Sequence, residues 1–438
     1  MSAFEPLYNA EEMRRAEEGH DVPTMMERAG TAVAESLMRR WPDAHSIAVV
    51  CGNGANGGDG RIAARVLEAA GRAVVIVEPG APVPAADVVV DALFGTGFRG
   101  EPRHEAAAQI ESMRGHVLSV DVPSGVDAST GEVPGAAVEA SVTVTMHAPK
   151  VGLHVAPGRF HAGEVETVDI GVEHVPTRYR LVTPEVLAFV PARSPRDNKY
   201  SAGAVLVVGG SPGTTGAVRL AAMAALRADA GYVAVAVPEA SRDVVEASLL
   251  EPVKITWADV PEVAERVGAV AVGPGLGRSD RARALVREVL ALGLPTVVDA
   301  DALALVEPVA PGAPVVLTPH EGELARMLGV ESDWVRAHRL AAVERARERF
   351  GAHVLLKGAD TIVGTIVHSG DVPQLATAGT GDVLTGVLAA FLAKGLDPET
   401  AAAAAAVAHA EAARLGPERG LIASDLVEAL PDVLAGIS

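Results

Sequence analysis

The chain has 438 residues, which corresponds to about two or three domains and is long enough to bury a substantial core. Its formal charge of −19 argues against a nucleic-acid partner, because an acidic surface repels phosphate backbones. The single cysteine, Cys51, excludes an internal disulfide and favours a reducing compartment. The charged first twenty residues are not typical of a signal peptide, and no apolar stretch is long enough for a membrane helix. We therefore expect a cytoplasmic α/β enzyme with no membrane partner.

Short apolar runs alternate with amphipathic segments through the first 175 residues. Continuous Val and Ile runs are typical of parallel strands that are covered on both faces. The predicted strands are Ser46–Cys51, Ala73–Val77, Asp87–Val90, His116–Val120 and Ser141–Met146, and the predicted helices are Thr24–Arg40, Gly60–Ala70 and Glu105–Met113. This alternation predicts a doubly wound α/β domain.

The stretch from Pro149 to Pro195 is rich in proline and has few periodic segments, so we place a domain boundary inside it, between residues 175 and 176. The α/β alternation then begins again. Strands are predicted at Ala204–Val208, Val233–Val237, Ala269–Val272, Thr296–Val298, Val315–Leu317 and His353–Leu356, and helices at Gly216–Asp229, Asp280–Leu292, Glu321–Leu328, Val335–Phe350, Gly381–Lys394 and Glu399–Leu415. Residues 176–438 are therefore predicted to form a second doubly wound domain.

A glycine-rich segment, Gly52–Gly60, follows the first predicted strand and precedes a helix. Such a loop presents N–H groups to an anion at the start of the helix, although a tight turn would have the same composition. The polar residues Asn56 and Asp59 within the loop favour a ligand site.

Two more loops, Asp91–Gly100 and Asp121–Asp127, also follow predicted strands. In a parallel sheet these loops and the glycine-rich segment share one edge, where ligands bind. Oxygen atoms of Asn56, Asp91 and Ser124 could there surround a hard cation, and Asp121 could act as a base. Each of these residues taken alone is also an ordinary turn or cap residue.

These segments, together with Met26–Gly30 and Lys150–Leu153, resemble the NAD(P)H-hydrate epimerase family. That family has a Rossmann-like fold and interconverts the R and S forms of hydrated NADH and NADPH (NADHX and NADPHX). The resemblance implies potassium at Asn56, Asp91 and Ser124, with Asp121 as the acid/base. It implies substrate contacts from Ala55, Asn56, Gly57, Gly58, Asp59, Gly95, Thr96, Gly97, Phe98, Arg99, Gly100, Glu101 and Asp121. The family usually has Asn where this chain has Ala55.

A second set of motifs lies in residues 176–438. Gly379–Asp382 precedes an apolar helix, where two glycines form an anion hole and Asp382 can accept a proton from a hydroxyl group. Asp is also an ordinary first-turn residue. The segment Lys357–Thr361 would hold a nucleotide or form a hairpin turn, and His320 would face a ligand or cap a helix.

The order of these motifs resembles that of the ribokinase-like superfamily. Within that superfamily, the resemblance is to the ADP-dependent NAD(P)H-hydrate dehydratases, because of three further segments: Gly209–Ser211, Gly216–Ala217 and Thr318–Glu321. The resemblance implies that Ala217, Gly275, His320 and Asp382 face the hydrated nicotinamide. It implies nucleotide contacts from Lys357, Gly358, Ala359, Asp360, Thr361 and Gly381, with Mg²⁺ on the phosphates. The family usually has His where this chain has Asn198.

The two resemblances together predict epimerisation of the R and S hydrates and ADP-dependent dehydration of the S hydrate. Two alternatives are an ATP-dependent sugar or vitamin kinase fused to a Rossmann-like ligand-binding domain, and a nucleotide-binding sensor without turnover. The sequence leaves open whether the chain forms a homo-oligomer and which hydrate it prefers.

Overall fold

The computed structural model describes residues 2–436, which divide into two compact units. The N-terminal unit comprises Pro6–Arg180 with Arg336–His338. The C-terminal unit comprises residues 2–5, 181–335 and 339–436. Each unit has its own sheet and its own hydrophobic core. Independent folding of the parts on either side of the predicted 175/176 boundary remains a prediction.

The strands and helices alternate along most of the chain. The strands are β1 (Phe4–Leu7), β2 (Ser46–Cys51), β3 (Ala73–Val77), β4 (Val88–Ala92), β5 (His116–Val120), β6 (Val142–Met146), β7 (Glu164–Val168), β8 (Tyr179–Val182), β9 (Ala204–Val208), β10 (Tyr232–Val237), β11 (Val253–Thr256), β12 (Ala269–Val272), β13 (Thr296–Val298), β14 (Val315–Leu317), β15 (His353–Leu356), β16 (Thr361–Val363) and β17 (Ile366–His368).

The α-helices are α1 (Ala10–Glu17), α2 (Val22–Arg40), α3 (Ala55–Ala69), α4 (His104–Ser112), α5 (Arg159–Ala162), α6 (Thr215–Arg227), α7 (Glu239–Glu246), α8 (Val260–Ala264), α9 (Asp280–Ala291), α10 (Glu321–Leu328), α11 (Ser332–Ala337), α12 (Arg339–Phe350), α13 (Thr380–Ala393), α14 (Pro398–Leu415) and α15 (Ala423–Ala435). Short 3₁₀ helices lie at Val151–Leu153, Pro184–Phe189, Trp257–Asp259, Ala300–Ala304 and Pro373–Leu375. No helix among these described residues is long and apolar enough to cross a membrane.

The sheet of the N-terminal unit has six parallel strands in the order β3-β2-β4-β5-β6-β7. The central strands are buried along nearly their whole length, as their continuous Val and Ile runs predict. The carboxyl ends of β2, β4, β5 and β6 therefore meet at one edge of the sheet.

The glycine-rich segment differs from its prediction, because α3 begins at Ala55 rather than at Gly60. Gly57 and Gly60 lie inside the helix. A Cβ atom at Gly57 would lie 1.9 Å from the Gly52 carbonyl oxygen, and one at Gly60 would lie 2.6 Å from the Ala92 Cβ. Gly60 therefore permits close contact of the helix with the sheet, and Gly57 permits close contact with the connection, which consists only of Gly52–Gly54.

The sheet of the C-terminal unit has eleven strands in the order β1-β8-β17-β16-β15-β14-β13-β12-β9-β10-β11. The strands from β15 to β11 in this order are parallel to one another, whereas β15, β16 and β17 form antiparallel pairs. The predicted fold class, two doubly wound α/β units, is confirmed by the parallel sheets.

One predicted helix, Val335–Phe350, is wrong because α11 ends at Ala337 and α12 begins at Arg339. The Arg339 guanidinium group is fully buried and pairs with Asp360. Helical periodicity does not reveal such an internal ion pair. The predictions also omitted the edge strands β1, β7 and β11, the strand β8 next to β1, and the hairpin of β16 and β17; β1, β7, β8 and β11 are short or only partly buried.

Candidate active sites

A cavity of about 920 Å³ lies in the N-terminal unit at the carboxyl edge of its sheet. Of the residues predicted to contact a substrate, those lining it are Ala55, Asn56, Asp59, Gly95, Thr96, Gly97, Phe98, Arg99 and Asp121. Gly57, Gly58, Gly100 and Glu101 are outside this lining. The structure therefore brings three predicted loops to one cavity.

Asp121 forms a buried ion pair at the end of β5. Its Oδ1 lies 2.7 Å from Lys150 Nζ, and the Lys150 side chain is fully buried. The Thr96 hydroxyl and backbone N–H donate to the other carboxylate oxygen. Although burial alone would raise the pKa of Asp121, the Lys150 ammonium group holds it below its ordinary value. Asp121 is therefore ionised at neutral pH.

The backbone at Asp121 has a φ of +67°, in the left-handed region that residues other than glycine rarely adopt. Its N–H donates to the Val144 carbonyl of the neighbouring strand at 2.7 Å. A non-glycine residue in this region persists only where its surroundings hold it, and such residues cluster at active sites. The backbone thus fixes the direction of the Asp121 side chain.

Two further carboxyl groups, Asp59 and Glu17, line the same cavity. Burial, followed by the charges of Asp121 and Glu17, raises the pKa of Asp59 to about 8. Burial and the Asp121 charge also raise the pKa of Glu17. One cavity therefore contains carboxyl groups whose surroundings move their pKa values in opposite directions.

The three residues predicted to hold potassium lie close together, with Asn56 in the lining of this cavity and Asp91 and Ser124 outside the lining. The Ser124 hydroxyl donates to Asp91 Oδ1 at 2.6 Å, and Asn56 Nδ2 donates to the Phe94 carbonyl at 2.9 Å. The Phe94 N–H in turn donates to Ser124 Oγ at 2.9 Å. Burial raises the pKa of Asp91. A donor set of one carboxylate, one hydroxyl group and one amide, all oxygen, fits a hard cation of low charge.

In this unit the sequence analysis assigned no role to Lys150 or Glu17. Lys150 belonged to a recognised motif, but its partner lies 29 positions away, and the fold alone brings the two together. The signal available for Glu17 was its place at the end of a short amphipathic segment, α1, which was not predicted.

A second cluster lies at the carboxyl ends of β13 and β15 in the C-terminal unit. Lys357 Nζ lies 2.8 Å from Asp299 Oδ1, and the Thr385 hydroxyl donates to Asp299 Oδ2 at 2.7 Å. Burial opposes ionisation of Asp299, but Lys357 holds its pKa below the ordinary value. Asp299 likewise raises the pKa of Lys357 against the effect of burial.

Asp382 lies in the first turn of α13, beside this ion pair. Burial, followed by the charge of Asp299, raises the pKa of Asp382 to about 7. A Cβ atom at Gly381 would lie 3.3 Å from Lys357 Nζ, so the lysine is next to the start of the helix. A carboxyl group of this kind changes charge near neutral pH, as a general base requires.

The start of α13 is held by its neighbours. Gly379, the residue before the helix, has a φ of +91°, which glycine adopts readily. His409 of α14 lies with Nε2 2.8 Å from the Thr380 carbonyl oxygen, and burial lowers the pKa of His409 to about 4. The neutral imidazole donates this hydrogen bond and fixes the first turn.

The other predicted substrate residues of this unit lie at neighbouring strand ends. The Ser211 N–H and the Thr214 hydroxyl donate to the Gly275 carbonyl, at 2.7 and 2.9 Å, which joins the connections after β9 and β12. Ala217 lies on α6, and α6 contacts the start of α13 through Leu220 and Gly379.

Lys357–Asp360 form the hairpin connection between β15 and β16. Asp360 is buried, and its carboxylate accepts a hydrogen bond from Arg339 Nε at 3.1 Å. His320 caps α10, because its Nδ1 accepts from the Gly322 N–H at 3.0 Å. Its backbone also forms a parallel bridge with Lys357. These structural roles leave nucleotide contact by Asp360 and substrate contact by His320 as predictions.

Two residues of this unit need separate mention. Asn198, which stands where the related family has His, caps its own turn by accepting from the Tyr200 N–H at 2.8 Å. Asp299 was not among the predicted site residues, although it directly follows a strand as Asp121 does. The position after a strand was therefore an available signal that was not used.

Comparison with protein families gives matches over most of the chain. Residues 205–433 match the family described as NAD(P)H-hydrate dehydratase. Residues 23–85 and 78–152 match the family described as YjeF-related protein N-terminus.

Two curated relatives match both halves, and both carry the name bifunctional NAD(P)H-hydrate repair enzyme Nnr. The protein from Moorella thermoacetica is 36% identical over 94% of this chain and 92% of its own length. The protein from Pyrobaculum aerophilum is 38% identical over 94% of this chain and 93% of its own length.

Among solved structures, the ADP/ATP-dependent NAD(P)H-hydrate dehydratase from Bacillus subtilis, co-crystallised with ATP and Mg²⁺, superposes with a TM-score of 0.53. It is 28% identical and covers 58% of this chain and 98% of its own chain.

Proposed function

The chain belongs to the family of bifunctional NAD(P)H-hydrate repair enzymes, and from this premise we propose that it epimerises hydrated NADH and NADPH and dehydrates the S form with ADP. The observation that carries the proposal is the pair of separate sites. Each unit places a buried lysine–aspartate pair and a second aspartate with a raised pKa at the carboxyl edge of its sheet.

In the C-terminal site, Asp382 takes the proton from the 6-hydroxyl group of the hydrate, and that oxygen attacks the terminal phosphorus of ADP. The N–H groups at Gly379–Gly381 and the Lys357 ammonium group face the negative charge that develops on the phosphate. Phosphate then leaves C6 and a proton leaves C5, which regenerates the dihydronicotinamide. Mg²⁺ bound to the nucleotide would neutralise phosphate charge during this transfer.

In the N-terminal site, the ionised Asp121 is the base for epimerisation at C6, with Lys150 and Thr96 holding its carboxylate in place. Asn56, Asp91 and Ser124 would hold a potassium ion, which supplies a fixed positive charge beside the loop that carries Gly95 and Thr96. Ala55 lines the cavity without a polar side chain, so its backbone N–H is the group available to an anion there.

The ATP-dependent kinase fused to a ligand-binding domain is not favoured. The curated relatives that match both halves are named as repair enzymes. We further propose the cytoplasm as the place of action, because the one cysteine is a buried free thiol.

The test is product analysis with the full chain. Purified protein is incubated with the R or the S form of NADHX, with ADP and Mg²⁺, and the products are separated by chromatography. We expect NADH, AMP and phosphate in equal amounts from the S form, and faster consumption of the R form than in the absence of protein. A phosphorylated sugar or vitamin formed from ATP, with no NADH, would instead support the kinase.

A further inference from the structure

Asp59 is the one carboxyl group of the N-terminal cavity that combines deep burial with a lack of partners. The side chain lies on the second turn of α3, and the residue is 9% exposed. No described residue from 2 to 436 donates a hydrogen bond to its carboxyl group. Burying an ionised carboxylate without a donor is costly, so the protonated form is favoured.

Asp121, by contrast, is surrounded by donors. Its Oδ1 is 2.7 Å from Lys150 Nζ and 3.3 Å from the Thr145 hydroxyl oxygen, and its Oδ2 is held by Thr96. Its negative charge contributes to the raised pKa of Asp59, which is about 8. At neutral pH Asp121 is therefore a carboxylate, whereas Asp59 is a carboxylic acid.

We infer that Asp59 is the general acid of the epimerisation, and that Asp121 is the base that acts with it. This inference rests on the proposed function, since it assigns a proton donor to the reaction of the N-terminal site. Asp59 becomes a catalytic residue rather than a substrate contact alone.

The reaction then proceeds by loss and return of water. The lone pair of the ring nitrogen forms a C6=N1 double bond while the C6–O bond breaks, and the departing hydroxide takes the Asp59 proton and leaves as water. Water then adds to the other face of the planar C6, Asp121 accepts its proton, and the C=N electron pair returns to nitrogen. Solvent returns the proton from Asp121 to Asp59, so the cycle balances.

Other charged groups line the cavity with Asp59, and two of them affect its titration. The charged residues that line the cavity with it are Arg14, Glu17, Arg99, Arg103, Glu105 and Asp121. Glu17 on α1 and Asp121 at the end of β5 both favour the protonated form of Asp59. The acid is therefore supported from two elements besides its own helix.

The test compares Asp59→Asn with Glu68→Gln, which removes an exposed carboxylate from the same helix. Both are measured in the full chain without ADP, by chromatographic separation of the R and S hydrates of NADHX. We expect Asp59→Asn to lower the catalysed kcat by ~10²–10⁴-fold and Glu68→Gln to leave it unchanged. The wild-type rate falls above pH 8, as Asp59 loses its proton, and the small residual rate of the variant lacks that decline.

Asp59→Glu retains a carboxyl group, so we expect it to keep part of the activity and the decline at high pH. This variant replaces Asp59→Asn in the test if the asparagine variant does not fold. The inference is overturned if Asp59→Asn epimerises within twofold of wild type, if its loss is confined to KM, or if it retains the decline near pH 8. If wild type and Glu68→Gln both react no faster than the spontaneous epimerisation, the proposed function itself fails, and the inference with it.

Discussion

The two sites contain the same three residue types, one lysine and two aspartates, but use the aspartates in different roles. Each has a lysine paired with a buried aspartate, Lys150–Asp121 in the N-terminal unit and Lys357–Asp299 in the C-terminal unit, and the Lys150 side chain is the more deeply buried of the two lysines. Each has a further aspartate with a raised pKa, Asp59 or Asp382. In the N-terminal site the proposed base is the paired aspartate, whereas in the C-terminal site it is the further one.

This difference matches the proton transfers that the two reactions need. Epimerisation by loss of water requires a proton donor and an acceptor together, so one carboxyl group must stay protonated while the other is ionised. Phosphoryl transfer requires an acceptor beside a positive charge that faces the phosphate. A lysine–aspartate pair can therefore supply either the base itself or the surroundings of the base.

The largest expected effect is on Asp382. Asp382→Asn removes the proton acceptor but retains the backbone N–H groups, so dehydration falls by ~10²–10⁴-fold while ADP binding changes little. Initial rates of NADH formation and calorimetric titration with ADP measure the two properties. Wild-type turnover in the variant would remove Asp382 from the mechanism and end the parallel with the other site.

The second largest expected effect is a loss of folding stability when the Lys150–Asp121 ion pair is broken. Lys150→Met leaves the buried Asp121 carboxylate without its cation, which lowers the free energy of unfolding by roughly 3–5 kcal/mol. Urea unfolding can be followed through Trp41 in a chain where Trp257 and Trp334 are replaced by phenylalanine. The reference is the same chain with Lys150 retained, and an unchanged midpoint would mean that the pair is dispensable for folding.

The two activities should depend on pH with opposite sign. Dehydration needs ionised Asp382, so its rate rises about tenfold per pH unit below pH 7 and becomes constant above it. Epimerisation needs protonated Asp59, so its rate declines above pH 8. The opposite pH dependence is checked by measuring the rates of both reactions in one protein preparation between pH 5 and 9. A shared pH profile would show that one common step limits both reactions.

Replacing potassium by tetramethylammonium tests the cation site separately. Epimerisation should fall by roughly tenfold, because the Asn56, Asp91 and Ser124 oxygens lose the ion that organises the loop. Dehydration of the S hydrate in the same buffer is the control and should not change. Equal loss of both activities would instead point to a general effect of the buffer.

The smallest effect concerns division of the chain. A fragment beginning at Pro176 should dehydrate the S hydrate, because it contains the whole Asp299–Lys357–Asp382 cluster. It lacks the edge strand β1, which pairs with β8 and whose Phe4 ring lies 6.3 Å from that of Phe189. Loss of the ring pair alone costs about 1 kcal/mol, so the fragment should melt at least about 2–4 °C lower. Differential scanning calorimetry measures this, with Phe4→Ala in the full chain as the matched control, and an insoluble fragment would contradict it.

Much of the fold was predictable because the buried parallel strands have uninterrupted runs of Val and Ile in the sequence. β2 and β9, for example, have the predicted bounds. The omitted edge strand β7 does not have this pattern, because it has the sequence EVETV and pairs with one neighbour only. The glycines of α3 were misassigned to a loop because composition does not distinguish flexibility from close contact.

The sequence was sufficient to predict that the site residues lie at the ends of strands. It was not sufficient to predict which side chains they pair with. Asp121 and Asp382 follow from local motifs. The lysines that pair with Asp121 and Asp299 are 29 and 58 positions away, and only the three-dimensional fold brings them together. The pKa values of Asp59 and Asp382 depend on burial as well as on these charges, so they too required the structure.

Strand β1 lies at one edge of the eleven-stranded sheet and pairs with β8, which in turn pairs with β17, so β1 is joined to the sheet by segments synthesised much later than itself. At the usual rates of translation, ~5–20 residues per second, roughly 9–35 s separate β1 from its partner β8. During that interval the N-terminal segment must remain unpaired or find temporary cover. The order of synthesis and the order of assembly therefore differ in this chain, and a tag added before Phe4 would be attached to the edge of the sheet that is finished last.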